Sequence, residues 1–169
     1  RGFGIPTDGD SVTVGEVLFT ICPWWDGPVA RQAVHDHLAR DAAREKKTWI
    51  WVYHSPPEGS TTSRTRARSY GDDNLTEWIG TFAPDIVLTG HIHQAPFDAV
   101  GSWADRMGST WVFNAGRQMG DTPTHIAFDT DAREALWFSH AGNRTVRLDL
   151  STEPQILPLT EIPGWLKAG

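Results

Sequence analysis

Three histidines stand where strand-like runs end. Trp49-Ile50-Trp51-Val52-Tyr53 leads into His54-Ser55-Pro56-Pro57, and Asp85-Ile86-Val87-Leu88-Thr89 leads into Gly90-His91-Ile92-His93. Neutral imidazole is a good ligand for zinc, iron and manganese-like ions. His91 and His93 are two apart, so on extended backbone their side chains would project to the same side. One short loop would then offer two ligands to one site.

The elements that must position these residues follow from periodicity. Residues 12–22 read as a strand or a tight hairpin with Gly15-Glu16 at its turn. Residues 29–46 are helical by pattern, with Ala30, Val34, Leu38 and Ala42 on an i, i+4 ridge. Asp26 suits the cap of that helix, Pro28 its first turn, and Lys46 and Lys47 its C-terminus. A strand over 48–53 precedes His54, and residues 55–71 form a loop rich in Ser, Thr, Pro, Gly and Arg. A short helix over 73–82 turns Leu75, Trp78, Ile79 and Phe82 to one face, Pro84 stops it, and 85–89 is a buried strand. Strands follow at about 97–100, 109–114, 124–129, 134–140 and 144–150, with a hairpin turn at Asp129-Thr130-Asp131-Ala132-Arg133. Alternating strands and helices followed by a β meander make an α/β fold, and in open α/β sheets sites gather at the carboxyl ends of strands. His54 and His91 both fall there.

In their order these segments resemble the calcineurin-like metallophosphoesterases. That family has a strand ending in His-x-Pro-Pro, then Gly-His-x-His, matched by His54-Ser55-Pro56-Pro57 and Gly90-His91-Ile92-His93. Trp111-Val112-Phe113-Asn114-Ala115-Gly116 looks like the strand and Asn-x-Gly turn that come next, so the resemblance covers about residues 12–150. It implies an α/β sandwich of two β-sheets flanked by helices. It also implies two divalent transition-metal ions (manganese, iron or zinc) and hydrolysis of a phosphodiester or phosphomonoester by a metal-bridging hydroxide. By this resemblance His54 and His91 bind one ion and His93 the other.

The family's earlier motifs, Asp-x-His, Gly-Asp-x-x-Asp and Gly-Asn-His-Asp/Glu, have no counterpart before His54. Gly9-Asp10-Ser11-Val12-Thr13 begins like the second but lacks its second aspartate, and Gly71-Asp72-Asp73-Asn74 falls after His54. Residues 1–150 therefore read as the C-terminal part of one such domain, apparently incomplete, and 151–169 as a proline-rich, irregular surface tail. The family's catalytic histidine is missing, so no catalytic residue is assigned. Three neutral imidazoles do not offset two divalent cations as bridging carboxylates do. Alone, this chain is expected to hold at most one ion weakly, to need the missing N-terminal half or a companion chain, and to self-associate. The alternative is a non-catalytic binding or scaffold module of the same fold, or an inactive fragment.

Arg64, Arg66 and Arg68 follow the His54 turn closely, and Arg117 follows Asn114-Ala115-Gly116. They are candidates for binding a second charged group on a phosphoester substrate; the alternative is a solvated basic loop. Asn114 itself reads as a turn residue. His35 and His37 lie on the predicted helix, where residues two apart point about 200° from one another and cannot chelate together. His37 sits beside the Val34/Leu38 ridge and His35 is expected to face water. His125 and His140 are read as structural.

Composition limits the remaining classes. The apolar share of 39% and the charged share of 21% describe a globular chain. A formal charge of −6 gives no support for broad nucleic-acid binding. The single cysteine, Cys22, forms no internal disulfide and reads as a small buried hydrophobe. No apolar run reaches the length of a membrane span, and a cytoplasmic location is expected. The nine tryptophans are read as packing residues.

Overall fold

The computed structural model describes residues 5–24 and 28–167. The expected cap at Asp26 lies outside them. The chain forms β1 (Ser11–Val14), β2 (Val17–Ile21), α1 (Pro28–Ala42), β3 (Thr48–Val52), α2 (Asp73–Phe82) and β4 (Ile86–Thr89). It continues through β5 (Ala104–Met107), β6 (Thr110–Asn114), β7 (His125–Asp129), β8 (Glu134–Phe138), β9 (Arg144–Arg147), β10 (Leu157–Pro158) and α3 (Gly164–Lys167). These make a mixed α/β fold with two sheets. The first has strand order β1-β2-β3-β4-β6-β5, with β2, β3, β4 and β6 mutually parallel and antiparallel strands at both edges. The second is antiparallel, β10-β9-β8-β7.

Side-chain alternation sorts the first sheet into two faces. Leu18, Trp49, Trp51, Val87 and Val112 pack with Val34 and Leu38 of α1 and Leu75, Trp78 and Ile79 of α2. Ile50, Ile86, Trp111 and Phe113 point the other way, against Ala135, Trp137 and Val146 of the second sheet. Helices, six-stranded sheet and four-stranded sheet are thus three layers around two apolar cores. Six tryptophans are buried in them, at 4% exposure or less. Burying each indole contributes about 4–6 kcal/mol of transfer free energy before entropy is set against it.

Local chemistry explains the boundaries. The β1–β2 hairpin turns at Gly15, as its position in the sequence suggested. Helix α1 ends at Ala42, four residues short of the expected end, and Lys46 Nζ folds back onto the carbonyls of Asp41, Ala42 and Arg44 at 2.7–2.9 Å. Helix α2 matches its expected span. Asp72 caps it, accepting from the N–H groups of Asn74 and Leu75, and Ala83 ends it in the left-handed region before Pro84.

Three expectations are corrected. No strand forms over 97–100; Ala95–Phe97 is a 3₁₀ turn started by Pro96, and the edge strand comes later, as β5. The tail is not wholly irregular: β10 pairs with β9, and Trp165 Nε1 of α3 donates to Glu134 Oε2 at 2.9 Å. His35 is half-buried against the Phe82 ring, 5.3 Å between centroids, rather than facing water.

Candidate functional site

Parallel pairing delivers both histidine turns to one end of the sheet. The ladder runs past the strands themselves: Tyr53 N–H donates to Leu88 O at 2.9 Å, and Gly90 N–H donates to His54 O at 3.0 Å. His54 and His91 therefore emerge side by side. His54 Nε2 and His91 Nδ1 are 2.9 Å apart, with ring centroids at 4.6 Å. The indole of Trp24 stands over both, 4.4 Å from His54 and 6.0 Å from His91 between centroids.

Beside the pair lies a cavity of about 380 Å³, lined by Asp8, Cys22, Trp24, Tyr53 and His54 among others. Desolvation of the ring, and next the charge of a protonated His91, push His54 below the ordinary histidine value; Asp8 works the other way. Burial pushes the Cys22 thiol up to about 12, helped by the charges of Asp41 and Asp8, so it is a neutral thiol at ordinary pH. Asp8 went unremarked in the sequence because nothing local ties it to residues some 46 positions on. It reaches the site through the β1–β2 hairpin, with Gly9 N–H donating to Ile21 O.

The Gly90–His93 segment is not extended. His91 has φ +60°, Ile92 N–H donates to Gly90 O at 2.6 Å, and His93 N–H donates to His91 O at 3.0 Å. Alternation therefore does not apply here, and the expectation that His91 and His93 share a side because they are two apart is corrected. Among the described residues, no group of three or more His, Cys, Asp or Glu side chains is placed to hold one ion. The structure brings His54 and His91 together and leaves His93 exposed outside that pair.

Asn114 holds this turn from beneath. It is the last residue of β6, has no exposure, and is not in the left-handed region. Its Nδ2 donates to Ile92 O at 3.0 Å and to Thr62 O at 2.9 Å, and its Oδ1 accepts from Gly116 N–H at 2.9 Å. The turn residue is Gly116, at φ +71°, where a Cβ would lie 2.8 Å from Pro96 Cγ and 3.0 Å from His93 O. Arg117 N–H donates to that same His93 carbonyl at 3.1 Å.

The arginine loop is tied down at its base. Asp105 accepts from Ser60 Oγ and Thr61 N–H at 2.9 and 2.7 Å, and a 3₁₀ turn spans Thr61–Ser63. Arg66 N–H donates to Asp98 Oδ2 at 3.1 Å, which joins the loop to the segment that follows His93. Arg64, Arg66, Arg68 and Arg117 are all exposed, and Arg68 lies over the Tyr70 ring at 4.3 Å.

The other histidines serve elsewhere. His37 Nε2 is 2.6 Å from Ser11 Oγ, within a buried group built on Asp41, which accepts from Ser11 and Thr20 hydroxyls at 2.5 and 2.6 Å. His125 stacks on Phe138 and His140 on Phe97.

No family model matches this sequence, and no curated protein does. Solved structures do match. One crystal structure superposes with a TM-score of 0.53 at 13% identity, over 90% of this chain and 53% of its own. The crystal structure of TT1561 of Thermus thermophilus gives a TM-score of 0.46 at 14% identity, over 84% of this chain and 58% of its own. The chain thus spans little more than half the length of these structures, and at such identity the first likeness extends to the fold alone.

Proposed function

We propose that this chain is the histidine-bearing part of a metal-dependent phosphoester hydrolase of the calcineurin-like kind. The observation that carries the reading is the His54–His91 pair at the carboxyl ends of adjacent parallel strands. Two imidazole nitrogens each about 2.0–2.1 Å from one ion stand roughly 2.9 Å apart at right angles and roughly 3.3 Å apart at the tetrahedral angle. The separation of 2.9 Å suits two ligands of one ion. The pair is a partial ligand set; the full set requires donors beyond this chain's described residues.

A divalent ion in that place supplies positive charge against the phosphate oxygens and lowers the pKa of water. The chain's own residues would do the rest. His54 and His91 hold and orient, and His93 is assigned to a second ion. Arg64, Arg66, Arg68 and Arg117 are assigned to the substrate's non-reacting charge. Asp98 supports that placement, since it fastens the arginine loop to the segment beyond His93.

Calorimetric titration of manganese or zinc into the wild-type chain and into His54→Ala, His91→Ala and His125→Ala tests the ligand assignment. The first two should weaken binding by roughly tenfold or more, and the third should not. Equal affinity in all four sinks it. Hydrolysis of a chromogenic phosphodiester by the complete domain then tests the reaction. Metal bound as expected without hydrolysis of any phosphoester would favour the binding-module alternative.

A further inference from the structure

Of the described tryptophans, six are buried in the two cores, while Trp24 is 55% exposed. It follows β2 by three residues, and Cys22 N–H donates to Val52 O at 2.9 Å, so pairing with β3 runs to the foot of its segment. The ring neighbours of its indole are the two imidazoles of the site. They cross it at 78° and 41°, so neither lies parallel on its face. An indole half in water beside a polar pair leaves apolar surface exposed that a flat partner would cover.

The adjoining cavity suits such a partner. Its volume of about 380 Å³ falls within the roughly 300–1,000 Å³ of small-molecule sites. Ile21, Val52 and Leu88 give it an apolar lining, the Cys22 thiol beside them is uncharged, and Asp8 offers a carboxyl acceptor. A polyol would leave hydroxyls unmatched over the Ile21, Val52 and Leu88 side of that lining. An aromatic ring would bury its faces there and stack on the indole.

We propose that this cavity binds the planar aromatic part of a ligand, an aryl or nucleobase ring, stacked on Trp24. That the ring's phosphoester end then meets His54 and His91 rests on the phosphoester reading above; the ring site does not. Trp24 is a specificity-determining residue in this account.

The test is calorimetric binding to the 169-residue chain, with manganese present, of adenosine 5′-monophosphate, phenyl phosphate, adenosine and ribose 5-phosphate. The same four ligands are titrated into Trp24→Ala and Trp24→Phe. Trp24 is exposed, so neither variant opens a core cavity. The aromatic ligands should bind roughly ten- to hundredfold more tightly than ribose 5-phosphate. Trp24→Ala should erase that ratio and Trp24→Phe should keep most of it. A preference for the monophosphate over phenyl phosphate assigns a nucleobase; parity assigns aryl rings in general. Adenosine binding as tightly as its monophosphate keeps the ring site and removes support for the phosphoester reading. Ribose 5-phosphate matching the aromatic ligands, a ratio unmoved by Trp24→Ala, or no aromatic binding at all overturns the proposal.

Discussion

The side-chain amide of Asn114 donates to the carbonyl of Ile92 at 3.0 Å, from a position without solvent exposure. Ile92 lies between the two histidines of the Gly90–His93 turn, and His91 before it holds φ +60°. A non-glycine residue in that region is strained by roughly 1–2 kcal/mol, so the surroundings must over-determine it. Asn114 does so from below, while the Arg117 N–H grips His93 O.

Asn114→Ala should therefore loosen the histidine turn as well as lower stability. It takes their partner from the buried Thr62 carbonyl and the Gly116 N–H, at about 1–3 kcal/mol for each unsatisfied group, and one of two donors from Ile92 O, which keeps the Ala95 N–H. Imidazole ¹⁵N shifts of His54 and His91 should move, and metal affinity should fall with them. Unchanged imidazole shifts in a folded variant would reduce Asn114 to a packing role.

The buried Asp41 group makes a second prediction. Asp41 accepts from Ser11, Thr20 and Arg44, and Thr20 Oγ1 accepts from Trp49 Nε1 at 2.8 Å, so one carboxylate joins hairpin, helix and β3. Asp41→Ala should cost roughly 3–5 kcal/mol by stranding these partners, and Asp41→Asn less. Denaturant unfolding measures both. A loss below about 1 kcal/mol for the alanine variant would mean that water replaces the carboxylate without penalty.

The same group sets a pH dependence. Burial, then Arg40 and Arg44, lower the His37 pKa below 6.5, with Asp41 and Asp10 opposing. The folded chain thus binds fewer protons at His37 than the unfolded one. Stability from this residue is whole above 6.5 and declines as pH falls through 6.5 toward the lower folded value. Asp41 is also lowered: burial opposes this, but the hydrogen bonds from Ser11, Thr20 and Arg44 outweigh it. Its loss of stability begins only below 3.8. Melting temperature should drop from about pH 7.5 to about pH 5.5, and His37→Gln should flatten that slope. An equal slope in the variant removes His37 as its source.

Arg64→Ala, Arg66→Ala and Arg68→Ala should each raise KM for a phosphoester by roughly tenfold or less in the complete domain, with metal content unchanged, because a charge-assisted contact worth about 1.5–3 kcal/mol when desolvated is worth less on an exposed side chain. Kinetics that stay level across several substrates leave these arginines as a solvated loop, fastened to Asp98 for structure alone.

The 169-residue chain by itself should bind no more than about one ion per chain and turn over no phosphodiester, since among the described residues two imidazoles converge and no group of three or more ligating side chains does. Two tightly held ions together with turnover would mean that residues outside the histidine motifs complete the site.

Much of this architecture was written in local patterns. Uninterrupted apolar runs mark β3, β4 and β6, the Gly15-Glu16 turn marks the first hairpin, and Pro84 stops α2, because these signals act within a few residues of the chain. The placement of His54 and His91 at strand ends was legible for the same reason. The tertiary structure decided what depends on distant partners. The left-handed His91, which ended the simple two-residue argument for His93, is held by a strand residue 23 positions later. Asn114, read locally as a turn residue, is buried at the end of β6 and donates to the Thr62 and Ile92 carbonyls. Asp8 and Trp24 reach the site only through pairing of β2 with β3. Backbone preference is a property of neighbours in sequence; convergence on a site depends on strand order and register, which no single segment encodes.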